Sequence, residues 1–337
     1  MQKGNMMIKF DENEAVKSVQ GALALRPQIE NIVDQELARG IKNISWIGIG
    51  GTWASAKQVH VHMKERSALD TFVTNAAEYL TTGDRRIGKG TLAILSSVSG
   101  TTSEMIAAVD KLHEAGARVF AFIDTPGTTL TQMADDLILY EKNEQLKFFM
   151  TADYLMYKAG EFPDYEEYYR QLDQNLAQDL ADVEKDADSL AQEFARKAKD
   201  NKLTYFVGAG NLYGAAYSYA MCYWEEMHWM RTKSIHAAEF FHGMLEIIDE
   251  DTPVVVLQGE DSQRPLTERV IRFLDKINKN HTVIDSRDYP RPGIDEKYRG
   301  SIAHLIVHGV TNRIDVHLEH EMDHDMNIRR YYRKVEY

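Results

Sequence analysis

The chain has a single cysteine, Cys222, among 337 residues. That excludes an intrachain disulfide and any zinc knuckle built on several thiolates. Its neighbours Ala220, Met221, Tyr223 and Trp224 predict a buried helix face, where a free thiol packs as a small hydrophobe. Basic residues are also in deficit: 39 Lys and Arg stand against 52 Asp and Glu, a formal charge of −13. A nucleic-acid surface needs the opposite balance, since phosphate neutralisation supplies most of its non-specific affinity, so no nucleic-acid partner is expected. No stretch approaches the roughly 20 consecutive apolar residues of a membrane helix, and no membrane partner is expected either. Met1 to Asn5 lead into acidic Asp11-Glu12-Asn13-Glu14, not into an apolar signal core, which points to the cytoplasm. Hydrophobic residues at 44% and charged residues at 27% fit a globular chain and exclude wholesale disorder. A length of 337 residues suggests two domains.

An α/β rhythm follows a helical N-terminal segment over 12–39, whose apolar positions Val16, Val19, Leu23, Leu25, Ile29 and Ile32 end at Gly40. Ile44 to Ile49 reads as a strand closed by Gly50-Gly51-Thr52, with a helix from Ala54 to Arg66. Further strands fall at 72–74, 91–96, 118–123 and 136–140, most of them separated by helical stretches, which predicts a parallel sheet covered on both faces. The second half repeats this plan. Leu203 to Val207 runs into Gly208-Ala209-Gly210-Asn211, and His236-Ala237-Ala238-Glu239-Phe240 echoes Asn75-Ala76-Ala77-Glu78-Tyr79 at 161 positions' distance. Thr252 to Leu257 answers Thr91 to Ser96 at the same offset, so a unit of ~150 residues is duplicated. The expected organisation is a helical segment over 1–40, a first domain over 41–165, a charged helical linker over 166–201 and a second domain over 202–337.

Two loops in the first half suit an anion. Gly50-Gly51-Thr52 sits where a strand turns into a helix, so backbone N–H groups and the helix dipole would meet a negative charge there. Ser96 to Glu104 gathers Ser97, Ser99, Thr101, Thr102 and Ser103 ahead of another helix, with Thr101 and Glu104 at capping-box spacing. The hydroxyls fit a phosphate monoester; equally, they could be a solvated loop that only caps its helix. Neither loop carries a P-loop ending or G-x-G-x-x-G, which disfavours a nucleotide. The second half offers proton-transfer groups instead. Glu225 and Glu226 lie in a mostly apolar helix, Cys222 to Trp229, and a carboxylate among apolar neighbours can serve as acid or base near neutrality. His236, Glu239 and His242 crowd one loop, either as a site or as caps and backbone hydrogen bonds. His320-Glu321-Met322-Asp323-His324 fits H-E-x-x-H, with His317 on the same face if the helix continues, so a zinc reading stays open beside these.

Gly50-Gly51-Thr52, Ser97 to Thr102 and the doubled α/β unit resemble the sugar isomerase (SIS) family. The segments Glu225 to Trp229, Ser234 to Gly243, Glu246 to Asp249, Arg264 to Arg269 and Arg329 to Tyr337 look like its bacterial fructosamine-6-phosphate deglycases. The resemblance implies two tandem α/β SIS domains, each a parallel sheet sandwiched between helices. It implies a sugar 6-phosphate held by Ser97, Ser99 and Thr102 with Gly51 and Thr52, a proton shuttle at Glu226, ring opening by His242, and His236 and Glu239 beside them. It also implies a homodimer whose histidine loop completes the neighbouring subunit's site, a phosphosugar–amino acid substrate, and neither metal nor organic cofactor. Ala238 replaces a frequent glycine and Met244-Leu245 a Pro-Phe pair. The alternatives are a phosphosugar isomerase or amino-sugar-phosphate deaminase on the same scaffold, and a non-catalytic phosphosugar-binding module.

Overall fold

A computed structural model describes residues 7–336; Met1 to Asn5, read above against a signal core, and Tyr337 of the tail lie outside the described residues. Two compact units emerge, Lys17–Gln174 and Met1–Val16 with Asn175–Tyr337. Up to the change of unit the chain forms α1 (Glu12–Leu23), α2 (Arg26–Arg39), β1 (Asn43–Gly48), α3 (Gly51–Arg66), β2 (Thr71–Asn75), α4 (Ala76–Thr82), β3 (Thr91–Ser97), α5 (Ser103–Glu114), β4 (Arg118–Ile123), α6 (Thr129–Met133), β5 (Asp136–Leu139), α7 (Glu144–Lys158) and α8 (Tyr165–Ala198). There follow β6 (Thr204–Gly208), α9 (Asn211–Ser218), a π-helical turn (Tyr219–Glu225), β7 (Thr232–His236), β8 (Val254–Gln258), α10 (Arg264–Ile277), β9 (His281–Asp285) and α11 (Glu296–Met322).

The first unit's sheet runs β2-β1-β3-β4-β5, all parallel. Both faces are covered, as the apolar strands require. Ile47, Ala93, Leu95, Val119, Ala121 and Ile123 face α4, α5 and α6 residues such as Tyr79, Met105, Leu112 and Leu130. Alternate positions turn the other way: Trp46 and Phe122 pack on Phe148 of α7, at 5.2 and 5.9 Å between ring centroids. Each such large side chain contributes roughly 1.5–3 kcal/mol by burial. The second unit's sheet runs β7-β6-β8-β9, the same order without a fifth strand. Val207, Val254 and Val256 meet Phe240 and Leu274 on one face, while Phe206 on the other packs against Trp224 at 5.0 Å.

The duplication read from the sequence is exact at the turns. Gly50 (φ 60°, ψ −127°) and Gly210 (φ 57°, ψ −135°) share one conformation just ahead of α3 and α9. Asn75 Oδ1 accepts the Ala77 and Glu78 N–H groups at 3.0 and 3.2 Å, and at the corresponding place His236 Nδ1 accepts the Ala238 N–H at 3.1 Å. Three local expectations are corrected. The 12–39 segment is two helices with a turn at Ala24-Leu25, because Pro27 opens α2 and lacks the N–H that a continuous helix would use. The expected capping box does not form: α5 begins after Thr102, which makes no side-chain cap bond, and Glu104 instead accepts the Ser103 hydroxyl at 2.9 Å. Cys222 is half-buried on the π-helical turn, not enclosed. The segment expected as a linker is most of α8, a single helix that contributes to both units.

Candidate functional site

In the first unit the chain leaves β1 for β2 on one side and, through β3, for β4 on the other. Ligands of open parallel sheets bind at such a reversal, beyond the C-terminal strand ends. The loops after β1 and β3 meet that position, and each opens a helix. Thr52 Oγ1 turns back to the Ile49 backbone, bonding its N–H and C=O at 3.1 Å each, which fixes the turn. The N–H groups of Gly51 and Thr52 meet no side-chain acceptor among the described residues. Buried Ser97 accepts the Gly100 N–H at 3.0 Å, and Ser99 accepts that of Thr101 at 3.3 Å. Thr102, the N-cap of α5, makes no side-chain cap bond. The loop is thus folded by two of its hydroxyls, with two helix N-termini open to an anion. Ionisable groups lie at the same sheet edge. Burial pushes the Glu144 carboxyl up, opposed by the Ser55 and Ser96 hydroxyls and by Lys147. Lys147 is fully buried, which pulls its ammonium down; it donates to Tyr140 O at 2.6 Å and pairs with Asp124 at 3.3 Å.

The second unit has the same turn in another state. Asp261 Oδ2 accepts the Asn211 N–H at 2.9 Å and Gln263 Oε1 accepts that of Gly210 at 3.1 Å, so the start of α9 is filled from within the chain. A Cβ on residue 210 would collide with that carboxylate, which is why glycine stands there. Beyond α9 the helix widens. Glu226 N bonds Met221 O at 3.1 Å and His228 N bonds Tyr223 O at 3.0 Å, both five residues back, and Trp229 is left-handed at φ 60°. Wide turns of this kind recur at functional sites, and a bulky residue at positive φ is held only when its surroundings demand it. The surroundings are explicit here. His228 meets Asp315 at 3.2 Å in the core, where burial raises the Asp315 carboxyl against the pull of His228 and Tyr219. His324 packs on Trp229 at 4.2 Å and its Nε2 lies 2.9 Å from Met227 O.

Glu226 therefore emerges on a braced turn, with 36% of its side chain exposed, and its Oε1 accepts Arg329 Nε at 2.8 Å. The two lie in a groove of about 580 Å³ lined also by Leu203, Glu225, Trp229, Met230, Arg231, Thr232, Arg330, Tyr331 and Tyr332. Glu225 is committed to the Thr232 hydroxyl at 2.7 Å.

A profile of the SIS domain matches residues 39–157, the stretch that carries the hydroxyl loop. Residues 39–157 are thus a SIS domain. The chain is 29% identical to the fructosamine deglycase FrlB of Bacillus subtilis over 94% of this chain and 99% of that one. To the fructoselysine 6-phosphate deglycase of Escherichia coli K12 it is 24% identical, over 91% of this chain and 90% of that one. A Bacillus subtilis crystal structure named for a phosphosugar isomerase superposes with a TM-score of 0.87 at 28% identity, covering 96% of this chain and all of the other. The two sheets are tandem SIS-type α/β units.

Within the SIS domain the expected anion-binding residues Gly51, Thr52, Ser97, Ser99 and Thr102 sit on two neighbouring loops. Glu226, expected inside an apolar helix, is instead half-exposed at the end of a π-helical turn and paired with an arginine. His236 closes β7, its ring against Tyr213 at 4.8 Å. Glu239 and His242 are exposed around a short 3₁₀ turn, and Gly243 follows at φ 155°, a conformation that favours glycine. None of these three lines the groove that holds Glu226. The zinc pattern does not survive. α11 ends at Met322, so His324 lies beyond the helix, while Glu321 pairs with Arg196 and Lys199, and His317 with Asp188 at 2.8 Å. Among the described residues no three potential ligands gather around one point. Sequence reasoning missed Arg329, Glu144, Lys147 and Asp261. The adjacent Arg329-Arg330 in an acidic chain was the available signal for the first; the others carry none.

Proposed function

We propose that this SIS-domain protein is a deglycase that converts a glycated amino acid 6-phosphate into a hexose 6-phosphate and a free amino acid. The observation that carries the reading is Glu226: a carboxylate on a braced π-helical turn, opening into a groove, in a chain similar to two deglycases along nearly its whole length. The loop Ser97, Ser99, Thr102 with the turn Gly51-Thr52 anchors the phosphate, and that fixed anchor provides binding energy for orienting the reacting carbons. His242 assists opening of the sugar ring, with His236 and Glu239 shaping its loop. Glu226 takes the proton from C1; the electron pair moves into a C1=C2 bond as the C2 carbonyl oxygen takes a proton from water, giving an enaminol. Glu226 returns its proton to C2 while the nitrogen lone pair closes C1=N, the N–H proton passes back to solvent to leave an aldose imine, and water cleaves the imine into amine and aldehyde. The substrate nitrogen holds the leaving amino acid throughout, so the sequence of steps balances without a further reagent. A homodimer in which the exposed His242 completes the partner's site suits the loop's exposure, and a sugar phosphate, too charged to cross a bilayer unaided, suits a cytoplasmic setting.

Release of glucose 6-phosphate, coupled to its dehydrogenase, is the test. Fructoselysine, fructose-asparagine and glucoselysine 6-phosphates form the panel, with fructose 6-phosphate as control. Cleavage of one adduct, lowered by about 10²–10⁴ in Glu226→Gln, is expected for removal of a general base. Full activity in that variant overturns the assignment. The likeness to a structure named for a phosphosugar isomerase favours a second reading, and turnover of fructose 6-phosphate alone would establish it.

A further inference from the structure

The groove beside Glu226 is basic in a chain that is otherwise strongly acidic. Three guanidiniums line it, from Arg231, Arg329 and Arg330. Only Arg329 has a carboxylate partner; Arg231 and Arg330 form no ion pair among the described residues. Arg330 is held in place all the same, its guanidinium stacked 4.1 Å from the centroid of Trp229. The carboxylates of the groove are spoken for, Glu225 by Thr232 and Glu226 by Arg329. Two uncommitted planar donors next to the reacting carboxylate, flanked by Trp229, Met230 and Tyr331, are suited to a ligand with one carboxylate and an organic side chain.

We propose that this groove seats the amino-acid half of the substrate and that its α-carboxylate is taken by Arg330 and Arg231. The inference rests on the deglycase reading and adds a requirement to it, a free carboxylate on the departing amine. It also gives the Glu226–Arg329 pair a role. The guanidinium that holds Glu226 at 2.8 Å is drawn toward the incoming carboxylate, and Glu226 is released to accept the C1 proton when an acid-bearing substrate has arrived. Arg329 is thereby a positioning residue for the base, and Arg330 a specificity residue.

The experiment compares matched adducts on the wild-type protein: fructoselysine 6-phosphate against the fructose-cadaverine 6-phosphate that lacks only the carboxylate, and fructose-asparagine 6-phosphate against its 3-aminopropanamide counterpart. A charge-assisted hydrogen-bond pair predicts a kcat/KM about 10- to 100-fold higher for the acid of the cleaved pair. Arg330→Gln narrows that preference about tenfold, chiefly through KM. Equal kcat/KM for acid and decarboxylated adduct in the wild type overturns the carboxylate site while leaving the deglycase reading intact. So does an undiminished preference in the variant. Cleavage of none of the four adducts, or release from fructose 6-phosphate alone, overturns the deglycase reading and this inference with it.

Discussion

Replacing Asp261 by alanine tests how the second unit fills the turn that the first leaves open. Asp261 Oδ2 accepts the Asn211 N–H and Oδ1 the Gln263 N–H, each at 2.9 Å. A hydrogen bond to a charged group is worth about 1.5–3 kcal/mol, and the α9 N-terminus adds up to ~1 kcal/mol for a nearby anion. Asp261 is half-buried, so the lower figures apply, and the sum is about 3 kcal/mol. Asparagine keeps one acceptor and should lose about half of that. Hydrogen exchange of the α9 amides, followed by mass spectrometry, reads the local loss directly: about 3 kcal/mol corresponds to exchange roughly 100-fold faster. Added acetate, which returns a carboxylate to the gap, should slow exchange again in the variant and leave the wild type unchanged. An alanine variant whose α9 exchanges less than about tenfold faster would refute the reasoning, because the carboxylate would then be no more than a surface group beside the turn.

Ser97→Ala removes a buried acceptor from the Gly100 N–H and a donor from the proposed phosphate cradle; KM for the phosphorylated substrate should rise about tenfold, with kcat little altered, in steady-state assays. His324→Ala takes away the support of Trp229 and of the Met227 carbonyl, so kcat should fall several-fold more than KM changes, the mark of a displaced base. Asp179 gives a pH signature: burial pushes its carboxyl up to about 6, against the pull of Arg291. The folded state thus holds this proton more tightly than the unfolded chain does, so its contribution to stability is full below about pH 4 and is lost as pH rises through about 6. Asp179→Asn should therefore match the wild type in urea unfolding near pH 4 and exceed it by about 2 kcal/mol near pH 8; a variant less stable near pH 8 would show that the Arg291 attraction dominates.

What the sequence made legible is local in origin. The strands of both sheets could be read because buried parallel strands are continuous apolar runs, and the duplication because the glycine turn and the Asn75 and His236 ends need particular residues at a fixed spacing. The hydroxyl loop could be read because helix N-termini announce themselves in Ser, Thr and Gly. The rest depends on contacts between distant residues. Arg329 reaches Glu226 across 103 positions and Asp261 reaches Asn211 across 50, and neither pairing leaves a periodicity or a short motif. The π-helical turn is a matter of one extra residue in a helix whose composition is unremarked. H-E-x-x-H is the converse case, a motif with the right spacing in a helix that stops two residues too early to bring His324 onto the face of His320.

The two units show what a duplication can do with one turn. Gly50 and Gly210 open their helices in the same backbone conformation, yet the first helix presents unpaired N–H groups and the second has accepted a carboxylate of its own chain. The filled turn fixes the start of α9 and, through it, the direction in which the chain enters the π-helical turn. The unit that gave up its anion site carries Glu226 on that turn, braced from behind by His228 and Asp315 and from the side by His324. On this reading Asp261 stands where the first unit would hold a substrate phosphate, and the rigidity so gained is what positions the proposed base.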